Sequence, residues 1–158
     1  GVFDRAAIEE VGLFDERLIR NQDYELNIRL RKAGGVVVFD PDLAVGYSPR
    51  GSWRTLGRQY YEYGVWKSVV LRMHPGSLRL RQLVAPLGVL SVGAALLAAI
   101  RWPRALVAPV GYLGAIAATG NGRPQHRALT MAVTVVIHMS WVSGLIVGSL
   151  TRRDHTVR

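Results

Sequence analysis

Two carboxylates two positions apart, Asp23 and Glu25, stand in the run Arg20-Asn21-Gln22-Asp23-Tyr24-Glu25-Leu26-Asn27-Ile28-Arg29-Leu30-Arg31-Lys32-Ala33-Gly34. A carboxylate can accept a proton, but at the head of a helix its ordinary work is to cap free backbone N–H groups, and that is the plain reading of Asp23. The run is punctuated as a short helix: acids in the first turn, Arg and Lys in the last, glycine beyond. Period alone argues for a strand, since Tyr24, Leu26, Ile28 and Leu30 alternate with polar residues. On a helix these residues fall on two faces, Tyr24 with Ile28 and Leu26 with Leu30 and Ala33, so both faces must be covered. The caps and the Glu/Leu/Arg/Lys composition favour the helix.

The neighbouring elements follow from the same rules. Asp4 is placed to cap a short helix carrying Ile8 and Val11, closed by Gly12. After Gly34 and Gly35, the β-branched run Val36-Val37-Val38-Phe39 predicts a strand covered on both faces. Asp40-Pro41-Asp42 reads as a turn, and Leu43 to Tyr47 as a second short strand. From Ser52 to Met73 the residues Trp53, Leu56, Tyr60, Tyr63, Trp66, Val70 and Met73 recur at spacings of three and four. Arg54, Arg58, Lys67 and Arg72 stay off that stripe. An aromatic face opposed by a basic one suits a helix in the lipid headgroup region, and equally one packed on a protein core; the two are compatible.

Charge divides the chain. Of its 158 residues and net charge of +9, residues 1–82 hold ten of the eleven acids and 13 of the 20 Lys and Arg, and the remainder holds one acid and seven arginines. Those seven sit around long apolar runs, so the basic excess points to a membrane surface and away from nucleic acid, for which no separate basic domain exists. Spans are expected at about 83–100, 105–119 and 129–150, the middle one short enough to be re-entrant. Trp102 with Arg101 and Arg104 makes an interfacial corner, and Arg152-Arg153 ends the last span. His138, inside that span, is read as a neutral ring hydrogen-bonded to another helix. The absence of Cys excludes a disulfide framework and thiolate chemistry.

The motifs narrow this further. Gly1-Val2-Phe3-Asp4-Arg5, Gly12-Leu13-Phe14-Asp15-Glu16-Arg17-Leu18, Asn21-Gln22-Asp23-Tyr24-Glu25 and Arg31-Lys32-Ala33-Gly34, in this order, resemble the C-terminal part of the catalytic domain of membrane-bound family-2 glycosyltransferases of the succinoglycan-synthesis type. The resemblance covers residues 1 to 82 by motif. It implies the C-terminal portion of an α/β domain of GT-A type over 1–51, an amphipathic interfacial helix and linker over 52–82, and an α-helical membrane region of two to three spans over 83–158. It implies that Asp23 is the general base that deprotonates an acceptor hydroxyl. Gln22, Glu25, Arg50, Gln59 and Trp66 become acceptor- or substrate-binding candidates: an amide can bond sugar hydroxyls, an indole can stack on a pyranose, and Arg50 could face a diphosphate.

Gln59-Tyr60-Tyr61-Glu62-Tyr63-Gly64-Val65-Trp66 stands where processive synthases carry a Gln-x-x-Arg-Trp motif. Glu62 and Tyr63 replace the Arg-Trp pair, which favours addition of one or a few sugars.

The same resemblance implies a nucleotide-sugar donor, a lipid-linked or growing glycan acceptor, contact with membrane lipid, a divalent cation (Mg or Mn), and a multi-pass bacterial inner-membrane protein with its catalytic part cytoplasmic. Asp40-Pro41-Asp42 spells the family's Asp-x-Asp cation motif but follows Asp23 where that motif precedes the base, so the cation ligands are expected upstream and no metal site within these residues. Because the chain opens on Gly1 in mid-motif, it is expected to be the C-terminal portion of a longer enzyme, inactive alone. The alternative is a non-catalytic, membrane-anchored accessory or remnant protein.

Overall fold

The computed structural model describes residues 2–46, 51–119 and 126–151. They form six α-helices, α1 (Arg5–Glu10), α2 (Gln22–Lys32), α3 (Trp53–Met73), α4 (Val84–Ala99), α5 (Val107–Thr119) and α6 (Arg127–Leu150). Short 3-10 turns at Pro75–Ser77, Leu80–Gln82 and Pro103–Leu106 join the later helices.

Local chemistry explains the ends. The Asp4 side chain accepts from the Ala7 N–H at 3.0 Å and starts α1, and Ser52 accepts from Thr55 N–H and starts α3. Arg29, Arg31 and Lys32 fill the last turn of α2, where cations meet the free carbonyls, and Gly34 beyond it takes φ +88°.

The expectation of an α/β, GT-A-type portion is corrected by this architecture: among the described residues there is no strand and no sheet. Val36 to Phe39 and Leu43 to Gly46 run as irregular chain, with Val36 85% and Phe39 88% exposed. The β-branched run has strand propensity, but a strand exists only when its N–H and C=O groups meet a neighbour's, and no described segment pairs with it. The fold is helix on helix.

Its strongest contact joins α3 and α6. Gly57 lies against Ser140, Tyr61 against Gly144, Gly64 against Trp141 and Leu145, and Val65 and Ser68 against Gly148, so the two helices run in the same direction side by side. A Cβ on Gly64 would fall 2.1 Å from the Trp141 carbonyl oxygen, and one on Gly144 2.0 Å from that of Tyr61. Only glycine allows backbones to approach this closely, and small residues four apart, as at Gly144 and Gly148, are the usual device for it between apolar helices. Arg72 adds a hydrogen bond to the Gly148 carbonyl at 2.9 Å.

On the opposite side of α3, Val69 and Val70 bury themselves with Leu18, and Tyr24, Ile28, Trp66 and Met73 pack around them. The Tyr24 and Ile28 face of α2 is therefore covered by α3, and Leu26 on its other face is also fully buried. Two helical segments, Leu80–Ala99 and Arg127–Leu150, are long and apolar enough to cross a membrane; Pro103–Ala118 is apolar and shorter. Leu87, Leu90, Leu97, Leu129 and Ile146 face outward from these helices, a surface that suits lipid. His138 meets the Tyr112 hydroxyl at 2.8 Å and so links α6 to α5.

The glycine contact gives a direct test. Gly144→Val should push α3 from α6 and cost on the order of 1–3 kcal/mol or more, read as a lowered thermal midpoint in detergent. Gly93→Ala in α4, where a Cβ meets open space, should leave the midpoint unchanged or slightly raised.

Candidate active site at the head of α2

The two carboxylates of α2 have opposite surroundings. Glu25 is 1% exposed and clamped by charge: Arg29 Nε and Nη2 donate to it at 2.8–3.0 Å, and His74 Nε2 lies 2.8 Å from its Oε1. Arg29 also donates to the carbonyls of Val11 and Leu13 in the turn after α1. That turn presents them through the positive φ of Gly12 (90°) and Leu13 (57°). Lys32 Nζ stands 3.1 Å from His74 Nδ1, so an imidazole protonated on Nε2 satisfies both neighbours. Burial works against the charge on Glu25, but the hydrogen bonds from Arg29 and His74 and the charge of Arg29 outweigh it and hold its pKa below the ordinary value. One carboxylate thus ties α1, α2 and the end of α3 together.

Asp23 is exposed, and its carboxylate takes part in no hydrogen bond or ion pair among the described residues. The capping reading of Asp23 is therefore corrected. The N-cap of α2 is Asn21, in the left-handed conformation at φ 62°, and its amide donates to the Tyr63 carbonyl on α3 at 3.2 Å. Arg20, one residue earlier, pairs with Glu62 of α3 at 2.9 Å. Asp23 is thus an open carboxylate on a helix whose start is pinned to α3 and whose body is locked by Glu25.

The other candidates scatter. The Gln22 amide donates to the Leu18 carbonyl, and Gln59 donates to the Tyr63 hydroxyl at 3.0 Å. Trp66 packs on the Leu18, Val69 and Val70 core. Arg50 lies outside the described residues. Asp40 and Asp42 are exposed, and the Asp42 N–H donates to Asp40 Oδ1 at 2.9 Å, an Asx turn. Among the described residues no three His, Asp or Glu side chains converge as a metal site, so none of them supplies a divalent cation with the several oxygen ligands it takes.

Sequence reasoning placed Lys67 on a solvent- or lipid-facing basic stripe, whereas it is buried beneath Tyr24, with Nζ 2.7 Å from the phenol oxygen and 3.9 Å from the ring centroid. No periodicity signals such a long-range contact. The Gly144-x-x-x-Gly148 spacing, by contrast, was a signal available for the α3–α6 crossing.

No family model matches the chain, and no solved structure does. Two curated relatives do. The succinoglycan biosynthesis protein ExoA of Rhizobium meliloti (strain 1021) is 33% identical over 146 residues, 87% of this chain and 43% of that protein. A dolichyl N-acetyl-alpha-D-glucosaminyl phosphate 3-beta-D-2,3-diacetamido-2,3-dideoxy-beta-D-glucuronosyltransferase of Methanococcus voltae is 33% identical over 73 residues, 46% of this chain and 23% of that enzyme. The chain spans less than half the length of either relative. The resemblance read from the sequence is thereby supported: these relatives are a succinoglycan biosynthesis protein and a glycosyltransferase.

The Glu25 clamp predicts a pH dependence with a defined sign. A carboxylate held below its ordinary pKa of 4.5 contributes stability in full above that pH, and loses it as the pH falls toward the lower folded value. Glu25→Gln should cost about 3–5 kcal/mol at neutral pH, because Arg29 and His74 lose their buried partner, and should flatten the acid limb of a denaturant-unfolding series.

Proposed function

Proceeding from this kinship with glycosyltransferases of the succinoglycan type, we propose that the intact protein transfers a sugar from a nucleotide-sugar donor to a lipid-linked or growing glycan acceptor. The work belongs to cell-surface or exopolysaccharide synthesis at the cytoplasmic face of a bacterial inner membrane. The observation that carries the assignment is the difference between the two carboxylates: Glu25 is consumed by Arg29 and His74, and Asp23 is open at the end of a rigid helix.

In the proposed step the acceptor hydroxyl gives its proton to Asp23 as its oxygen attacks the anomeric carbon. The bond from that carbon to the nucleotide diphosphate breaks, its electron pair leaves with the diphosphate, and the configuration inverts. A solvent-facing carboxylate without a hydrogen-bond or ion-pair partner is suited to this role because its oxygens are free to accept the proton. The pinning of α2 through Asn21, Arg20 and Glu25 limits how far the base can wander from a bound hydroxyl. The divalent cation implied by the resemblance finds no donor set among the described residues, and no step is assigned to it. Two apolar helices of spanning length support a position beside a bilayer, where a lipid-linked acceptor would be met.

Asp23→Asn in the full-length protein should lower sugar transfer by about 10²–10⁴-fold and leave nucleotide-sugar binding unchanged, measured by radiolabel transfer and by equilibrium binding. Transfer within a few-fold of the parent would remove Asp23 from the base role.

A further inference from the structure

The tail of α2 faces a cavity of about 410 Å³ whose other wall is the linker from α3 to α4. Four cations stand around it, Arg31 and Lys32 from the last turn of α2 and Arg79 and Arg81 from the linker, and no carboxylate lines it. None of the four forms an ion pair among the described residues. Like charges gathered without an acid repel one another, and an anion between them relieves the repulsion.

Two further groups define what that anion must carry. Asn27 Oδ1 and Ser77 Oγ, both of residues on this cavity's wall, are shut off from solvent and have no hydrogen-bond partner among the described residues. The Tyr24 hydroxyl, on the same wall, is already spent: it donates to the Ser77 carbonyl at 2.9 Å and accepts from Lys67 at 2.7 Å. Buried polar groups are nearly always paired, so these two are left for a ligand to satisfy. Guanidinium forks and the Ser77 hydroxyl suit the oxygens of a phosphate. Asn27 Oδ1 only accepts, so the ligand must also donate; among four cations a hydroxyl does this without the repulsion an ammonium would meet.

The setting is apolar on one side. Arg79 and Arg81 flank Leu80, the first residue of the spanning-length segment Leu80–Ala99, and Leu80, Val84 and Leu87 are exposed at its start. A headgroup in the cavity would lie at the foot of an apolar helix surface, at the level where a bilayer meets water. We propose that this cavity binds the headgroup of an anionic, hydroxyl-bearing phospholipid of the bilayer, of the phosphatidylglycerol kind, its phosphate among Arg31, Arg79 and Arg81 and its glycerol hydroxyl on Asn27. The lipid is a resident of the membrane and no reactant. Asp23 is not on the cavity wall, and the eight positions from Asp23 to Arg31 amount to about 12 Å of helix axis. Bound there, the headgroup ties the tail of α2 to the lead-in of α4, and the proposal does not rest on the sugar-transfer reading.

The test is the thermal midpoint of the full-length protein in phosphatidylcholine nanodiscs, plain or doped with phosphatidylglycerol, phosphatidic acid or phosphatidylethanolamine. Phosphatidylglycerol should raise the midpoint by several degrees, because a ligand that binds only the folded state stabilises it. Phosphatidic acid, which lacks the head hydroxyl, should give roughly half that rise or less, and phosphatidylethanolamine none. Arg31→Gln and Arg81→Gln alter exposed residues and should fold, yet each should remove most of the rise. Arg104→Gln, which removes an exposed cation outside the cavity, should leave it intact. Asn27→Ala should make the responses to phosphatidylglycerol and phosphatidic acid equal. Equal rises with both anionic lipids in the parent, unchanged by Arg31→Gln and Arg81→Gln, would mean general surface attraction and overturn the site, as would no rise at all. A full rise from soluble glycerol phosphate in plain phosphatidylcholine discs would overturn the bilayer as the source of the ligand.

Discussion

Everything in this molecule is positioned from the place where α3 and α6 touch backbone to backbone. Gly64, Gly144 and Gly148 leave no side chain between the helices, so their separation is fixed by main-chain atoms that cannot repack. The other face of α3 carries Trp66, Val69, Val70 and Met73, against which α2 lays Tyr24 and Ile28. A helix of spanning length thus holds a second helix, and the second holds a third from whose first turn Asp23 faces outward. The position of Asp23 is inherited through two interfaces, neither of which it touches.

Within α2 the division of labour between two acids is electrostatic. Glu25 is surrounded by Arg29 and His74, whose hydrogen bonds make its charged form tolerable at almost complete burial. Neither partner of Glu25 reaches Asp23, whose carboxylate has no hydrogen bond or ion pair among the described residues. Lys67 solves a related problem differently: with no carboxylate paired to it among the described residues, it stacks on the Tyr24 ring and lines a cavity. A buried clamp, an open carboxylate and a buried cation lie within one short stretch of α2 and α3, and each is defined by what the others leave unused.

Much of this was legible in the residues. Helix α2 could be read from its acids, its basic last turn and Gly34, against a misleading period of two. Helices α1 and α3 followed from Asp4 and Ser52 and from three- and four-residue spacing. The transferase likeness followed from the Asn21 to Glu25 run and its flanking glycine motifs. What could not be read was long-range. Val36 to Phe39 looks like a buried strand because propensity reports what a residue prefers, while a strand also needs a partner, and none of the described residues supplies it. Asp23 looked like a cap because caps are decided by the φ of the preceding residues, here the left-handed Asn21. Glu25 to His74 and Lys67 to Tyr24 join residues more than forty positions apart, and nothing in local spacing encodes them.

The central claim, that α3 is locked in parallel on α6 and carries the carboxylate proposed as the base with it, is tested most directly by a cross-link. A Cβ on Gly57 would stand 3.2 Å from Ser140 Oγ, within the geometry a disulfide accepts, and the chain has no cysteine of its own. The full-length protein carrying Gly57→Cys and Ser140→Cys, oxidised mildly in membranes, should form the bridge and keep its sugar-transfer activity. Bridge formation no faster than in a Gly57→Cys, Met139→Cys control, or loss of transfer on bridging, would contradict the account.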